Sequence, residues 1–166
     1  MISLLRLYER FGRFGCKEKV NATMFAWSIL HGGKKPPFIQ GRSINHPEKN
    51  WNGIQVDKVI PTKSLDELNS IDQIEGRASC QGTLTKSAGE LEVPTYFIFR
   101  SINQDKSYVE SIVGKLNKYP DIMAGYDVGL GNQFRIGVIG DMSYETDSHS
   151  FIQWWKILPK RIKESL

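Results

Sequence analysis

Apolar and polar positions change period several times along the chain, and each change marks an element. Leu4, Leu5, Leu7, Tyr8 and Phe11 recur at spacings of three and four, the stripe of a short helix over residues 2–11 that Gly12 and Gly15 interrupt. Val20 to Leu30 fits either state: Phe25, Trp27 and Ile29 alternate as in a strand, while Met24, Trp27 and Ser28 fit a helical face. His31-Gly32-Gly33-Lys34-Lys35-Pro36-Pro37 has the composition of a turn, and the polar stretch from there to Asn52 reads as loop. From Gly53 the pattern becomes regular. Ile54, Val56 and Val59-Ile60 predict a short strand. Ser64-Leu65-Asp66-Glu67 then has the form of a capping box, in which serine and glutamate satisfy the orphaned amides of a helix start. That helix would bury Leu65, Leu68 and Ile71 and end near Asn69 to Asp72.

Ile74 to Ser79 predicts a strand running into the turn Ser79-Cys80-Gln81-Gly82, and a polar loop over 83–92 follows. Val93 to Arg100, with Tyr96, Phe97, Ile98 and Phe99 in an unbroken row, predicts a strand buried on both faces. Val109, Ile112, Val113 and Leu116 fall at i, i+3, i+4 and i+7, which predicts an amphipathic helix between Asp105 and Tyr119, with Ser107 and Glu110 as a second capping signal. Ile122–Tyr126 and Phe134–Ile139 read as a hairpin joined through Gly129-Leu130-Gly131-Asn132. Asp147 is placed to cap a last helix with Phe151, Trp154, Trp155 and Leu158 on one face, which Pro159 would break or restart.

Together these elements predict an α+β fold, a mixed or antiparallel sheet packed against two or three helices. The 166 residues suit a single domain, with 1–49 a basic, less regular amino-terminal segment and 53–166 the α+β core. No apolar run approaches the roughly 18 residues that span a bilayer. Arg6, Glu9 and Arg10 stand where a signal peptide would be apolar, so a cytoplasmic address and no membrane partner are expected. Cys16 and Cys80 are the only cysteines; neither has a Cys-x-x-Cys partner, and His31, His46 and His149 are scattered, so no zinc site is expected.

Charge is unevenly distributed. Residues 1–49 hold nine Lys/Arg against three Asp/Glu, whereas 50–166 hold thirteen against fifteen, so the net +4 arises in the first third. A basic segment of this kind suits a polyanion such as nucleic acid, though it serves equally as an ordinary solvated surface.

The strongest chemical signal is Ser79-Cys80-Gln81-Gly82 with Arg77 upstream. At a strand end, the serine hydroxyl, the glutamine amide, main-chain amides and a glycine that permits close approach make a corner for a carboxylate, a phosphate or a purine edge. The same residues also serve as a plain turn around a buried cysteine. As a nucleophile Cys80 has no histidine near it in sequence, and His46 could reach it only through the fold. Phe151, Trp154 and Trp155 would either stack bases or seal a core, and Asp141, Glu145 and Asp147 lack the spacing of a calcium loop. Arg135 is a candidate anion ligand, because a guanidinium pairs bidentately with carboxylate or phosphate.

The order Val56-Asp57, Ile60-Pro61, Leu68-Asn69-Ser70 and Ser79-Cys80-Gln81-Gly82, followed by strand, helix and strand pair, resembles the wybutosine-synthesising tRNA methyltransferase family over about residues 53–140. Val56 and Asp57 match that family's Val-Asp entry, Leu68 and Asn69 its helix end, and Ser79, Cys80 and Gly82 the core of its Ser-Ser-Cys-Ser-Gly-Arg signature. The chain departs from the pattern at Glu75 to Ala78, at Gln81 and at Thr83. The resemblance implies S-adenosylmethionine as cofactor, tRNA as substrate, and a ligand pocket that includes Asp57, Ser79, Cys80 and Gly82; Arg77, Gln81 and Arg135 join these as candidate ligands on their own chemistry. Its alternative is a non-catalytic nucleic-acid-binding or adaptor protein on the same fold. Gly129-Leu130-Gly131 with Phe134-Arg135-Ile136-Gly137 is also similar to the carboxy-terminal domain of class V aminotransferases, but the chain has no room for that family's cofactor-binding domain.

Overall fold

The computed structural model describes residues 46–82, 94–128 and 130–166. The expected helix over 2–11, the segment 20–30, the turn 31–37 and the loop 83–92 lie outside the described residues. Within them the fold is α+β, and every strand pairing is antiparallel.

The first element corrects the reading of the stretch up to Asn52 as loop. Strand β1 (Glu48–Trp51) and strand β2 (Ile54–Asp57) form a hairpin whose register pairs Trp51 with Ile54 and Glu48 with Asp57. Asn52 and Gly53 make its turn with φ of 51° and 82°. Both central residues at positive φ match the twist of the strands, and Asn-Gly is the pair that reaches this conformation most readily. Lys49 Nζ reaches the Ile60 carbonyl and donates to Thr62 Oγ1 at 2.9 Å, while Trp51 Nε1 donates to Asp66 at 2.8 Å. The hairpin is thus tied to the helix that follows.

That helix, α1 (Thr62–Asn69), begins three residues earlier than the Ser64 box implies. Pro61, with φ −60° and ψ 123°, is its N-cap, without a side-chain hydrogen bond, and Ser64 is buried inside the first turn. Strands β3 (Ile74–Cys80), β4 (Tyr96–Ser101), β5 (Met123–Val128) and β6 (Phe134–Ile139) form one sheet in the order β3-β4-β6-β5. Helix α2 (Lys106–Leu116) lies between β4 and β5 in sequence. Its N-cap is Asp105, which accepts from Tyr108 N at 3.0 Å, and Ser107 donates its hydroxyl to that same carboxylate instead of capping.

Helix α3 (Ser148–Ser165) starts at Asp147 as expected but runs straight through Pro159. Proline there lacks the N–H that would bond one turn back. The helix continues because Leu158 and Ile162, on either side of Pro159, are fully buried in the core.

One face of the sheet, with Phe97, Phe99, Ala124, Ile136 and Val138, packs on Leu65 and Leu68 of α1, Val109, Ile112 and Leu116 of α2, and Phe151, Trp154, Trp155 and Leu158 of α3. Trp155 meets Phe97, Phe151 and Trp154 at centroid separations of 6.2, 6.3 and 5.4 Å, so the α3 aromatics seal the core. Tyr96, Ile98 and Ile139 alternate onto the opposite face and are buried as well, in keeping with the unbroken apolar row of β4. Among the described residues no helix is long and apolar enough to cross a membrane.

The α3 cap gives a pH signature. Hydrogen bonds from the Ser150 side chain and main chain hold the Asp147 carboxyl below its ordinary range. A depressed folded value contributes stability above the unfolded value of about 3.9, and that contribution is lost as pH falls through the folded value. Asp147→Asn is therefore expected to lower the urea midpoint at pH 6 and to lower it less near pH 2.5. An equal deficit at both pH values would overturn this account.

Candidate functional site

The Asn-Gly turn has a consequence beyond the hairpin. Because Glu48 pairs with Asp57, His46 falls two residues past the end of the ladder and lies diagonally across from that aspartate. Lys58 N donates to the Pro47 carbonyl at 2.8 Å and holds this end shut. His46 Nδ1 then stands 3.1 Å from Asp57 Oδ2, with both side chains buried. The same Oδ2 accepts from Gln81 N at 2.8 Å, which fastens the hairpin to the end of β3.

Cys80, the last residue of β3, completes the group. Its Sγ, a ring nitrogen of His46 and a carboxylate oxygen of Asp57 all lie within 4.8 Å of one another, and Cys80 is only 1% exposed. Gly82 stands at φ 80°, and its N–H points at Cys80 Sγ from 3.4 Å. A side chain at position 82 would strain this conformation.

The main chain of Cys80 is held from the core side. Thr95 Oγ1 donates to the Cys80 carbonyl at 2.6 Å and accepts from Trp155 Nε1 at 2.9 Å. Thr95 N donates to the Met142 carbonyl, Gly140 N to the Thr95 carbonyl, and Tyr144 N to the Gln81 carbonyl. Gly140 allows this approach, since a Cβ there would meet the Thr95 methyl at 2.9 Å. Gln81 is 4% exposed, and among the described residues its Oε1 has no hydrogen-bond partner.

Of the residues expected to form one pocket, Asp57, Cys80, Gln81 and Gly82 converge. Ser79 pairs in register with Phe97 and so faces the helical side, opposite to Cys80. Arg77 sits at the β3 register shift between Gly76 and Ala78, partly exposed and paired with Glu75 at 3.3 Å. Arg135 is elsewhere. Its neighbour Ile136 pairs with Phe99, whereas Cys80 pairs with Tyr96. That places Arg135 about 13 Å farther along the sheet, at roughly 3.3 Å per residue, and two strands across. Its guanidinium grips Asp127 through Nε at 3.2 Å and Nη2 at 3.0 Å. Burial pushes the Asp127 carboxyl up while Arg135 pulls it down.

His46 is the addition that sequence spacing did not place, lying 34 residues from Cys80. The signal that could have found it is Asn52-Gly53, which predicts a hairpin and hence a juxtaposition of its two ends. Asp147 is spent as a helix cap, and among the described residues the single group able to hold a metal is His46, Asp57 and Cys80.

The fold and site together define a class of protein: an α+β domain with a buried cysteine–histidine–aspartate centre at the end of a sheet strand. No protein-family model, curated protein or solved structure matches the chain.

The Thr95 junction carries the position of Cys80. Thr95→Val leaves the Trp155 N–H and the Cys80 carbonyl each short of a partner, and is expected to cost about 1–3 kcal/mol in chemical denaturation. Thr95→Ser keeps the hydroxyl and should lose less. Equal losses would assign the effect to packing.

Proposed function

We propose that the protein is a thiol-dependent enzyme in which Cys80 is the nucleophile, His46 the proton acceptor and Asp57 the group that orients His46. The observation that carries this is the gathering of the three reactive side chains at the end of one strand, with Asp57 Oδ2 shared between His46 Nδ1 and Gln81 N. A carboxylate on Nδ1 selects the tautomer with its proton there, so that Nε2 is the basic nitrogen. The Gly82 N–H adds a donor at the sulfur, which favours its anionic form. Separations between nucleophile and base are commonly looser without substrate than in the reacting complex.

In the reaction class this suits, the sulfur attacks a carbonyl carbon and its proton passes to His46. The leaving group departs with that proton, and water or a second acceptor then releases the thioester. The reading places the protein in the cytoplasm, where a thiol persists in reduced form.

p-Nitrophenyl acetate is the probe for this reading, with Cys16→Ser as background. Acetylation of the Cys80 peptide, followed by mass spectrometry, is expected in the parent and absent in Cys80→Ser. His46→Gln should slow it about 100-fold, the scale of general-base assistance. Cys80 acetylation that is undetectable, or that is unchanged in a folded His46→Gln variant, would rule the reading out.

A second reading follows the family resemblance: an S-adenosylmethionine-dependent tRNA-modifying enzyme whose basic residues 1–49 meet phosphate. It is favoured by the Gln81 N–Asp57 bond, since this joins the two stretches, Val56-Asp57 and Ser79-Cys80-Gln81-Gly82, that carry the likeness. Calorimetry with S-adenosylmethionine is expected to show one saturable site, weakened by Gln81→Ala. Absence of heat with the cofactor and with its demethylated product removes this reading. If Cys80 acetylation fails as well, the non-catalytic adaptor remains.

A further inference from the structure

Asp57, Cys80 and His46 bring two potential anions and an imidazole into one place, each at least nine-tenths buried. Buried charges are costly unless something of opposite sign offsets them. A doubly charged cation would balance a thiolate and a carboxylate, leaving the imidazole neutral and the whole group without net charge.

The donor chemistry points to the kind of cation. Sulfur and nitrogen with a single carboxylate suit a borderline ion of the zinc type and not magnesium or calcium, which prefer sets of oxygen ligands. The geometry agrees. Two ligands about 2.0–2.1 Å from a tetrahedral ion stand roughly 3.3 Å apart, and His46 Nδ1 and Asp57 Oδ2 are separated by 3.1 Å. Cys80 Sγ lies within 4.8 Å of a ring nitrogen of His46 and of a carboxylate oxygen of Asp57, near enough for a small side-chain movement to bring it onto the same ion.

The surroundings are those of a supported ligand set. Gln81 N bonds the Asp57 oxygen and Gly82 N faces the sulfur. Thr95 fixes the Cys80 carbonyl from behind. Such outer contacts orient ligands and raise affinity.

We propose that His46, Asp57 and Cys80 bind one divalent cation of the zinc class, with the fourth tetrahedral position outside this trio. Binding displaces the thiol proton, shifts the imidazole proton from Nδ1 to Nε2 and breaks the direct His46–Asp57 bond. It also commits the sulfur lone pair to the metal, so the metal regulates the nucleophile proposed above. The inference rests on that reading only in requiring that Cys80 ionise.

Cobalt(II) is the probe, added to full-length protein stripped with a chelator and exchanged into metal-free buffer. One equivalent should produce the sulfur-to-cobalt charge-transfer band of a thiolate ligand together with intense tetrahedral visible bands, both bleached by zinc. Cys16→Ser should leave the spectrum intact, and His46→Gln should weaken cobalt affinity at least tenfold. Zinc should also block acetylation of Cys80, and a chelator restore it.

A wild-type spectrum without the thiolate band, or one abolished by Cys16→Ser, overturns the proposal whether or not Cys80→Ser folds. Cobalt silence alongside rapid, His46-dependent acetylation rejects the metal and keeps the nucleophile. Thiolate–cobalt bands in a protein whose stripped form is not acetylated support the metal and reject the nucleophile.

Discussion

The site depends on the buried carboxylate of Asp57. One of its oxygens, Oδ2, accepts from the Gln81 main chain and stands 3.1 Å from His46 Nδ1. The first contact binds the β1–β2 hairpin to the end of β3; the second holds the imidazole beside the thiol. Without it the hairpin would keep its turn and its contacts with α1, but its open end would lose this tie to the sheet. Because the group is buried, each contact is worth more than at the surface, and neither can be replaced by water without opening the structure.

The opposite side of the strand end is held by packing. Trp155 is fixed by three aromatic neighbours, and its indole N–H can therefore hold Thr95, whose hydroxyl holds the Cys80 carbonyl. The end of β3 is thus clamped between a polar tie in front and a rigid aromatic core behind. This is the arrangement a catalytic or ligating group needs, since residual freedom in its support is lost as misplacement of the reacting atom. The two wide-set arginines illustrate the converse. Arg135 is committed to Asp127 and Arg77 faces Glu75, so both are spent on ion pairs outside the cluster.

The elements were largely legible where one face of a segment is buried. The period of Val109, Ile112 and Leu116 marks α2, the continuous row Tyr96 to Phe99 marks a strand covered on both sides, and Asp147 marks the start of α3. Ends were less legible. Ser64 and Ser107 both head capping-box patterns, yet Pro61 and Asp105 cap the helices, because a local motif competes with neighbours that reach the same amides. Pro159 forecasts a break that burial of Leu158 and Ile162 overrides.

By itself, the sequence determined the α+β class, a strand that ends beside Gln81-Gly82 and the aromatic face of the last helix, since these follow from local periodicity and turn chemistry; the strand runs on through Ser79 and Cys80, which the sequence pattern assigns to the turn. Tertiary structure decided which residues share the site. It brought His46 across a hairpin to Asp57, brought Asp57 to Gln81, and left Ser79, Arg77 and Arg135 facing elsewhere. The physical reason is that strand alternation and pairing register choose which face each side chain meets, and those depend on partners many residues away.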